Sequence, residues 1–187
     1  MTKLRILVID DNSTNIAKAI EQFSDSEKYQ LTTISTYNES RLLLGRISRG
    51  EKESFDAILT DLSLPEMKAS FMGYSAERKK IISYHPTGKE YPHGITLALF
   101  AMMQLKIKNV AIVTAWNHDA PPDPFISELK MLIGSMYGGS SNGVMHVGET
   151  NFFFCDSMYV DQEAYYIEPQ GDKPKNWKKV LEILLAG

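Results

Sequence analysis

Apolar and polar positions change period several times along the chain, and each change marks an element. Leu4-Arg5-Ile6-Leu7-Val8-Ile9 is a short run rich in branched side chains and reads as a strand. It is mostly apolar rather than alternating, which predicts burial on both faces, as in a parallel sheet. It ends in Asp10-Asp11-Asn12-Ser13-Thr14, a polar turn rich in residues that start helices. Ile16, Ala19, Ile20 and Phe23 then recur at spacings of three and four, the face of a helix. A second strand is expected over residues 30–36. A helix is expected over 39–49, carrying Leu42, Leu43 and Ile47 and closed by Gly50. A third strand, 55–60, runs into Asp61.

There the rhythm breaks. Residues 68–93 are polar and carry Gly73, Pro86, Gly88 and Pro92, with a short helix expected over 76–82. An apolar-faced helix resumes over 94–106, and Asn109–Thr114 is a fourth strand with Val-Ala-Ile-Val at its centre. Asp123-Pro124 suits the cap and first position of a helix reaching about Tyr137. The Gly/Ser-rich stretch 138–143 follows, and the aromatic-rich stretch 144–159 reads as a hairpin. Residues 164–167 are a candidate fifth strand. Residues 175–186 form a last helix with Val180, Leu181, Ile183 and Leu184 inward.

Strands alternating with helices predict an open α/β fold, a doubly wound parallel sheet of five strands with helices on both faces. The chain then reads as one domain, 1–187, with insertions at about 68–93 and 138–163. Composition narrows this further. A chain of 187 residues, 43% hydrophobic, can build a core without staples and is short for two full domains. That apolar content and a net charge of only -3 exclude disorder. The longest strongly apolar stretch, Ile95 to Met103, is about half of what a bilayer span needs. No export signal opens the chain, and Cys155 has no second cysteine to pair with. Both point to an unexported, cytoplasmic protein. The mild acidity leaves no general footprint for nucleic acid or an anionic membrane.

In open α/β sheets ligands gather outside the carboxyl ends of the strands. Those ends carry Asp10 and Asp11 after the first strand, Asp61 after the third and Thr114 at the end of the fourth. Lys173-Pro174 precedes the last helix. Singly, each has a structural reading: a turn, a strand terminator, a cap, a helix start. Together on one edge they suggest chemistry. Three converging carboxylates repel one another, and a hard divalent cation with oxygen ligands resolves the conflict. Mg2+ fits, because it binds through few carboxylates and keeps room for a phosphate. A lysine adds a fixed positive charge, and a threonine hydroxyl could bond a phosphoryl oxygen. One carboxylate could then act as a nucleophile and form an acyl phosphate.

These residues resemble a known family. Leu-Arg-Ile-Leu-Val-Ile-Asp-Asp-Asn at 4–12 is similar to the opening of a response-regulator receiver domain. Phe-Asp-Ala-Ile-Leu-Thr-Asp-Leu-Ser-Leu-Pro-Glu-Met at 55–67 resembles its phosphoacceptor block, with proline four residues after the aspartate. Val-Ala-Ile-Val-Thr-Ala at 110–115 resembles its fourth strand, and Asp172-Lys173-Pro174 its Lys-Pro step. The resemblance implies a flavodoxin-like sheet and a phosphorylation-dependent switch of a two-component system, not a conventional enzyme. Asp61 is then the phosphoacceptor. Asp10, Asp11, Asp61 and the backbone carbonyl of Ser63 hold Mg2+, Thr114 is the switch hydroxyl, and Lys173 pairs with the phosphate. The implied donor is a histidine kinase, a histidine phosphotransfer protein or a small phosphodonor. With no output domain expected, the signal leaves by protein contact, a homodimer included.

The chain also departs from the pattern. One insertion leaves the sheet beside Asp61, where a lid or docking surface would sit. Glu168-Pro169-Gln170-Gly171-Asp172 separates Lys173 from the expected fifth strand, and Gln170 stands where the family carries an aromatic. Trp116 is bulky for a position near the pocket mouth. The alternative is a degenerate receiver, a binding scaffold that no longer takes phosphate.

Other chemistries lack their motifs. His85, His93, His118, His146 and Cys155 include no closely spaced ligand pair for zinc. The 138–143 stretch lacks the Lys-Ser/Thr end of a phosphate-binding loop, and no Gly-x-Ser-x-Gly elbow occurs. Leu62 and Ser63 after Asp61 leave no second acid for a phosphatase of another α/β type. Arg78-Lys79-Lys80 and Lys175, Lys178 and Lys179 read as solvated faces. Phe152-Phe153-Phe154 reads as core or hairpin.

Overall fold

A computed structural model describes residues 2–74, 80–114, 143–156 and 174–187, with 66–74 and 80–91 described by backbone alone. β1 (Leu4–Ile9) leads into α1 (Ser13–Gln22), β2 (Tyr29–Ile34), α2 (Tyr37–Ser48) and β3 (Ala57–Asp61). β4 (Leu64–Tyr74) and β5 (Lys80–Tyr91) follow, then α3 (His93–Met103) and β6 (Asn109–Thr114). β7 (Val144–Val147), β8 (Thr150–Asp156) and α4 (Trp177–Ala186) complete the described elements. The fold is mixed α/β. A six-stranded sheet runs in the order β2-β1-β3-β6-β8-β7. Its first five strands are parallel, and β7 is an antiparallel edge on β8.

The central strands β1, β3 and β6 are mostly apolar because helices cover both faces. Side chains alternate across a strand, so Leu7 and Ile9 of β1 face one side and Ile6 and Val8 the other. The first pair joins Leu44 and Ile47 of α2 and Leu97, Ala98 and Ala101 of α3. The second joins Ala19 of α1, Phe23 and, from α4, Trp177, Val180, Leu181 and Leu184. Each aliphatic side chain buried this way contributes roughly 1.5–3 kcal/mol against leaving it in water.

Three expectations change. The sheet has six strands rather than five, because residues 144–156 of the expected 144–159 hairpin pair as β7 and β8 and join the sheet, and 157–159 lie outside the described residues. β8 takes the place beside β6, and residues 164–167 lie outside the described residues, as do 124–137. The insertion after Asp61 is a β-ribbon. Lys80, Ile81 and Ile82, expected in a short helix, pair with Tyr74, Gly73 and Phe71 across β4. Cross-strand pairing overrides a weak local helix preference there, and residues 75–79 lie outside the described residues. Among the described residues no helix is long and apolar enough to cross a membrane.

Candidate functional site

The carboxyl edge of the sheet is built by register. β1 and β3 are parallel neighbours with Ile9 opposite Thr60, so Asp10 and Asp61 leave the sheet side by side. Asp10 is fully buried. Its carboxylate accepts hydrogen bonds from the Asn12 backbone amide at 2.9 Å and from Asn15 Nδ2 at 3.2 and 3.1 Å. Asn12 also starts α1, its side chain accepting from the amides of Thr14 and Asn15. Asp61 is held by its neighbours: Leu62 and Leu64 are fully buried. The Gly94 amide donates to the Leu62 carbonyl at 3.0 Å. Position 94 requires glycine, since a Cβ there would overlap the Asp61 carbonyl oxygen.

A lysine sits between the two carboxylates. Lys175 Nζ donates to Asp10 Oδ2 and to Asp61 Oδ1, each at 2.6 Å. All three side chains are nearly out of water, with 2% of Lys175, 0% of Asp10 and 15% of Asp61 exposed. The lysine is delivered by a braced segment. Its backbone amide donates to Asn15 Oδ1 at 3.1 Å, and its carbonyl accepts from Gln22 Nε2 at 3.2 Å. The Trp177 indole N–H donates to the Asn15 carbonyl at 3.1 Å, and its ring centroid lies 5.2 Å from Lys175 Nζ. Asn176 starts α4 by accepting from the Lys179 amide.

The electrostatics follow from this crowding. Burial pushes the Asp61 carboxyl up to about 6; the Lys175 charge pulls it down, and the Asp10 charge adds to the rise. Burial works against the Lys175 charge, but Asp61 and Asp10 more than offset it and hold the lysine above its ordinary range. Carboxylate oxygens of Asp10, Asp11 and Asp61 lie within 4.8 Å of one another, and Asp11 is exposed at the mouth. Such a trio fits a hard divalent cation with one side open to a ligand.

The structure therefore brings together Asp10, Asp11 and Asp61, as expected. Thr114 ends β6 at the same edge, one step past Val113, which pairs with Asp61. It is buried. Ser63 is half-buried two residues beyond Asp61. Lys173 lies outside the described residues. Lys175, expected on a solvated face, is instead the cation paired with both carboxylates among the described residues, and only 1% of the residue is exposed. Asn15 was also not anticipated. A helix position three residues past the cap, facing the sheet, was the available signal for it. For Lys175 the signal was the unbalanced acidic edge, which needed a cation from somewhere in the chain.

Compared with known proteins, the chain matches no family model and no curated protein sequence.

Proposed function

We propose that the protein is a phosphorylation-dependent signalling switch of the response-regulator receiver type, accepting its phosphoryl group on Asp61. The observation that carries this reading is Lys175 Nζ, 2.6 Å from both Asp10 and Asp61 beside a third carboxylate. A buried lysine pinned to the prospective acceptor can follow its charge from carboxylate to acyl phosphate. The strand order β2-β1-β3-β6-β8 supports the reading, with β7 an addition to a five-stranded receiver sheet.

In this reading a carboxylate oxygen of Asp61 attacks phosphorus. The donor's bond to phosphorus breaks, its electron pair leaves with the donor, and an acyl phosphate remains on Asp61. Asp10, Asp11, Asp61 and the Ser63 carbonyl would hold Mg2+, which supplies positive charge to the phosphoryl oxygens. Lys175 takes the phosphate-pairing role that the family resemblance gave to Lys173. Thr114 donates its hydroxyl to a phosphoryl oxygen. The donor is a histidine kinase or a histidine phosphotransfer protein.

A second reading, the phosphate-free scaffold, has one observation in its favour: Lys175 already pairs with both buried carboxylates without a metal. Acetyl phosphate labelling with Mg2+, read by intact mass, separates the two. One added phosphoryl group in the wild type and none in Asp61→Asn is expected. Labelling that survives Asp61→Asn overturns the site, and a wild type that never labels favours the scaffold.

A further inference from the structure

We infer that Asn15 is the positioning residue of this site, a single side chain that sets Asp10 and Lys175 against each other. Its Nδ2 donates to both oxygens of Asp10 at 3.2 and 3.1 Å, and its Oδ1 accepts from the Lys175 backbone amide at 3.1 Å. The amide group thus spans two segments that are 160 and 5 residues away along the chain. It is 7% exposed, so water does not compete for these bonds. An asparagine suits the task because it offers a donor and an acceptor on one planar group. The donor orients the carboxylate, and the acceptor fixes the backbone from which the lysine reaches. Its backbone carbonyl, meanwhile, takes the Trp177 indole N–H. That bond survives any substitution of the side chain and keeps α4 seated.

Gln22 gives the natural control. It braces the same segment, donating to the Lys175 carbonyl and accepting from the Lys178 amide, both at 3.2 Å. Neither of these bonds reaches a carboxylate. A residue that merely tethers the segment should therefore behave like Gln22, and a positioning residue should not. As a role in phosphoryl uptake, the assignment of Asn15 rests on the reading above; as a clamp on Lys175 it does not.

The test compares wild type, Asn15→Ala and Gln22→Ala in two measurements. Acylation of lysine amines with acetic anhydride, mapped by mass spectrometry, should find Lys175 protected in the wild type and in Gln22→Ala. It should be at least about tenfold more reactive in Asn15→Ala. The Mg2+ midpoint for Asp61 labelling by acetyl phosphate should rise about tenfold in Asn15→Ala, the lower end of the usual effect of losing a partner that orients a ligand. In Gln22→Ala it should stay within twofold. Equal protection of Lys175 in wild type and Asn15→Ala, or equal effects of the two substitutions, overturns the inference. Loss of Lys175 protection with a wild type that never labels leaves the clamp standing and removes the receiver reading. Should Asn15→Ala not fold, the wild type still decides. The Asn15 side-chain amide protons should exchange with solvent as slowly as core amides, and exchange at the rate of a free amide refutes the clamp.

Discussion

Replacing Asp61 with asparagine should make the metal-free protein more stable at neutral pH. Burial is the main cause that lifts the Asp61 carboxyl from 3.8 to about 6, against the pull of Lys175 and with the help of Asp10. That rise corresponds to about 3 kcal/mol, at roughly 1.4 kcal/mol per tenfold change in proton affinity. The sign follows from which state binds the proton. The folded state holds it more tightly than the unfolded chain, so the associated stability is fully present below 3.8. It is lost as pH rises through about 6. At pH 7.5 the ionised carboxylate therefore weighs against the fold, while asparagine keeps its shape and carries no charge. For a chain of this length each kcal/mol moves the melting temperature by about 2–4 °C, so the variant should gain roughly 6–12 °C. Side-chain exposure of 15% makes this an upper figure, since solvent screens part of the effect.

The assay is thermal unfolding of both proteins in a chelator across pH 4 to 7.5. The gap should be largest at the alkaline end and close toward pH 4. Mg2+ added at pH 7.5 should stabilise the wild type and leave Asp61→Asn nearly unmoved. A variant no more stable than the wild type at pH 7.5, or a gap independent of pH, would refute the electrostatic account.

Lys175→Met should destabilise the metal-free protein by about 3–5 kcal/mol in urea unfolding at pH 7.5, because it strands two buried carboxylates. Removing Lys175 also removes the charge that pulls the Asp61 carboxyl down, so acidification should protonate Asp61 more readily than in the wild type and return part of that loss. Gly94→Ala places a methyl group on the Asp61 carbonyl and should cost about 1–3 kcal/mol. Its amide shifts in a two-dimensional NMR spectrum should concentrate at residues 61–64. Trp177→Phe keeps the buried volume near its place but removes the indole's bond to the Asn15 carbonyl, and should cost about 0.5–1.5 kcal/mol in the same unfolding assay.

What could be read in advance depended on how local each signal was. β1 and β6 were legible to the residue, because a continuous apolar run between turn residues has sharp ends. The acidic trio was legible through topology: once β1 and β3 are parallel, Asp10 and Asp61 must share an edge. β8 was harder. Phe152, Phe153, Phe154 and Cys155 are all buried, so no alternation distinguishes a central strand from a hairpin lying elsewhere. β4 and β5 were not legible, because Gly73, Pro86 and Gly88 read as loop residues and the pairing that makes the ribbon is between segments distant along the chain. Lys175 was misread for a different reason. With Lys178 and Lys179 it falls into a basic group at the start of a helix, and the carboxylates that pair with it are 165 and 114 residues away. Charge accounting could have found it. Buried acidic groups need a cation, and a lysine two residues before a tryptophan on the buried helix face is drawn inward with that face. Trp177 is fully buried, so the segment that places the indole in the core also places Lys175 under the sheet edge. The site is therefore assembled by the packing of α4 as much as by the strand ends. Whatever changes the charge at Asp61 acts on the one lysine whose backbone leads directly into that helix.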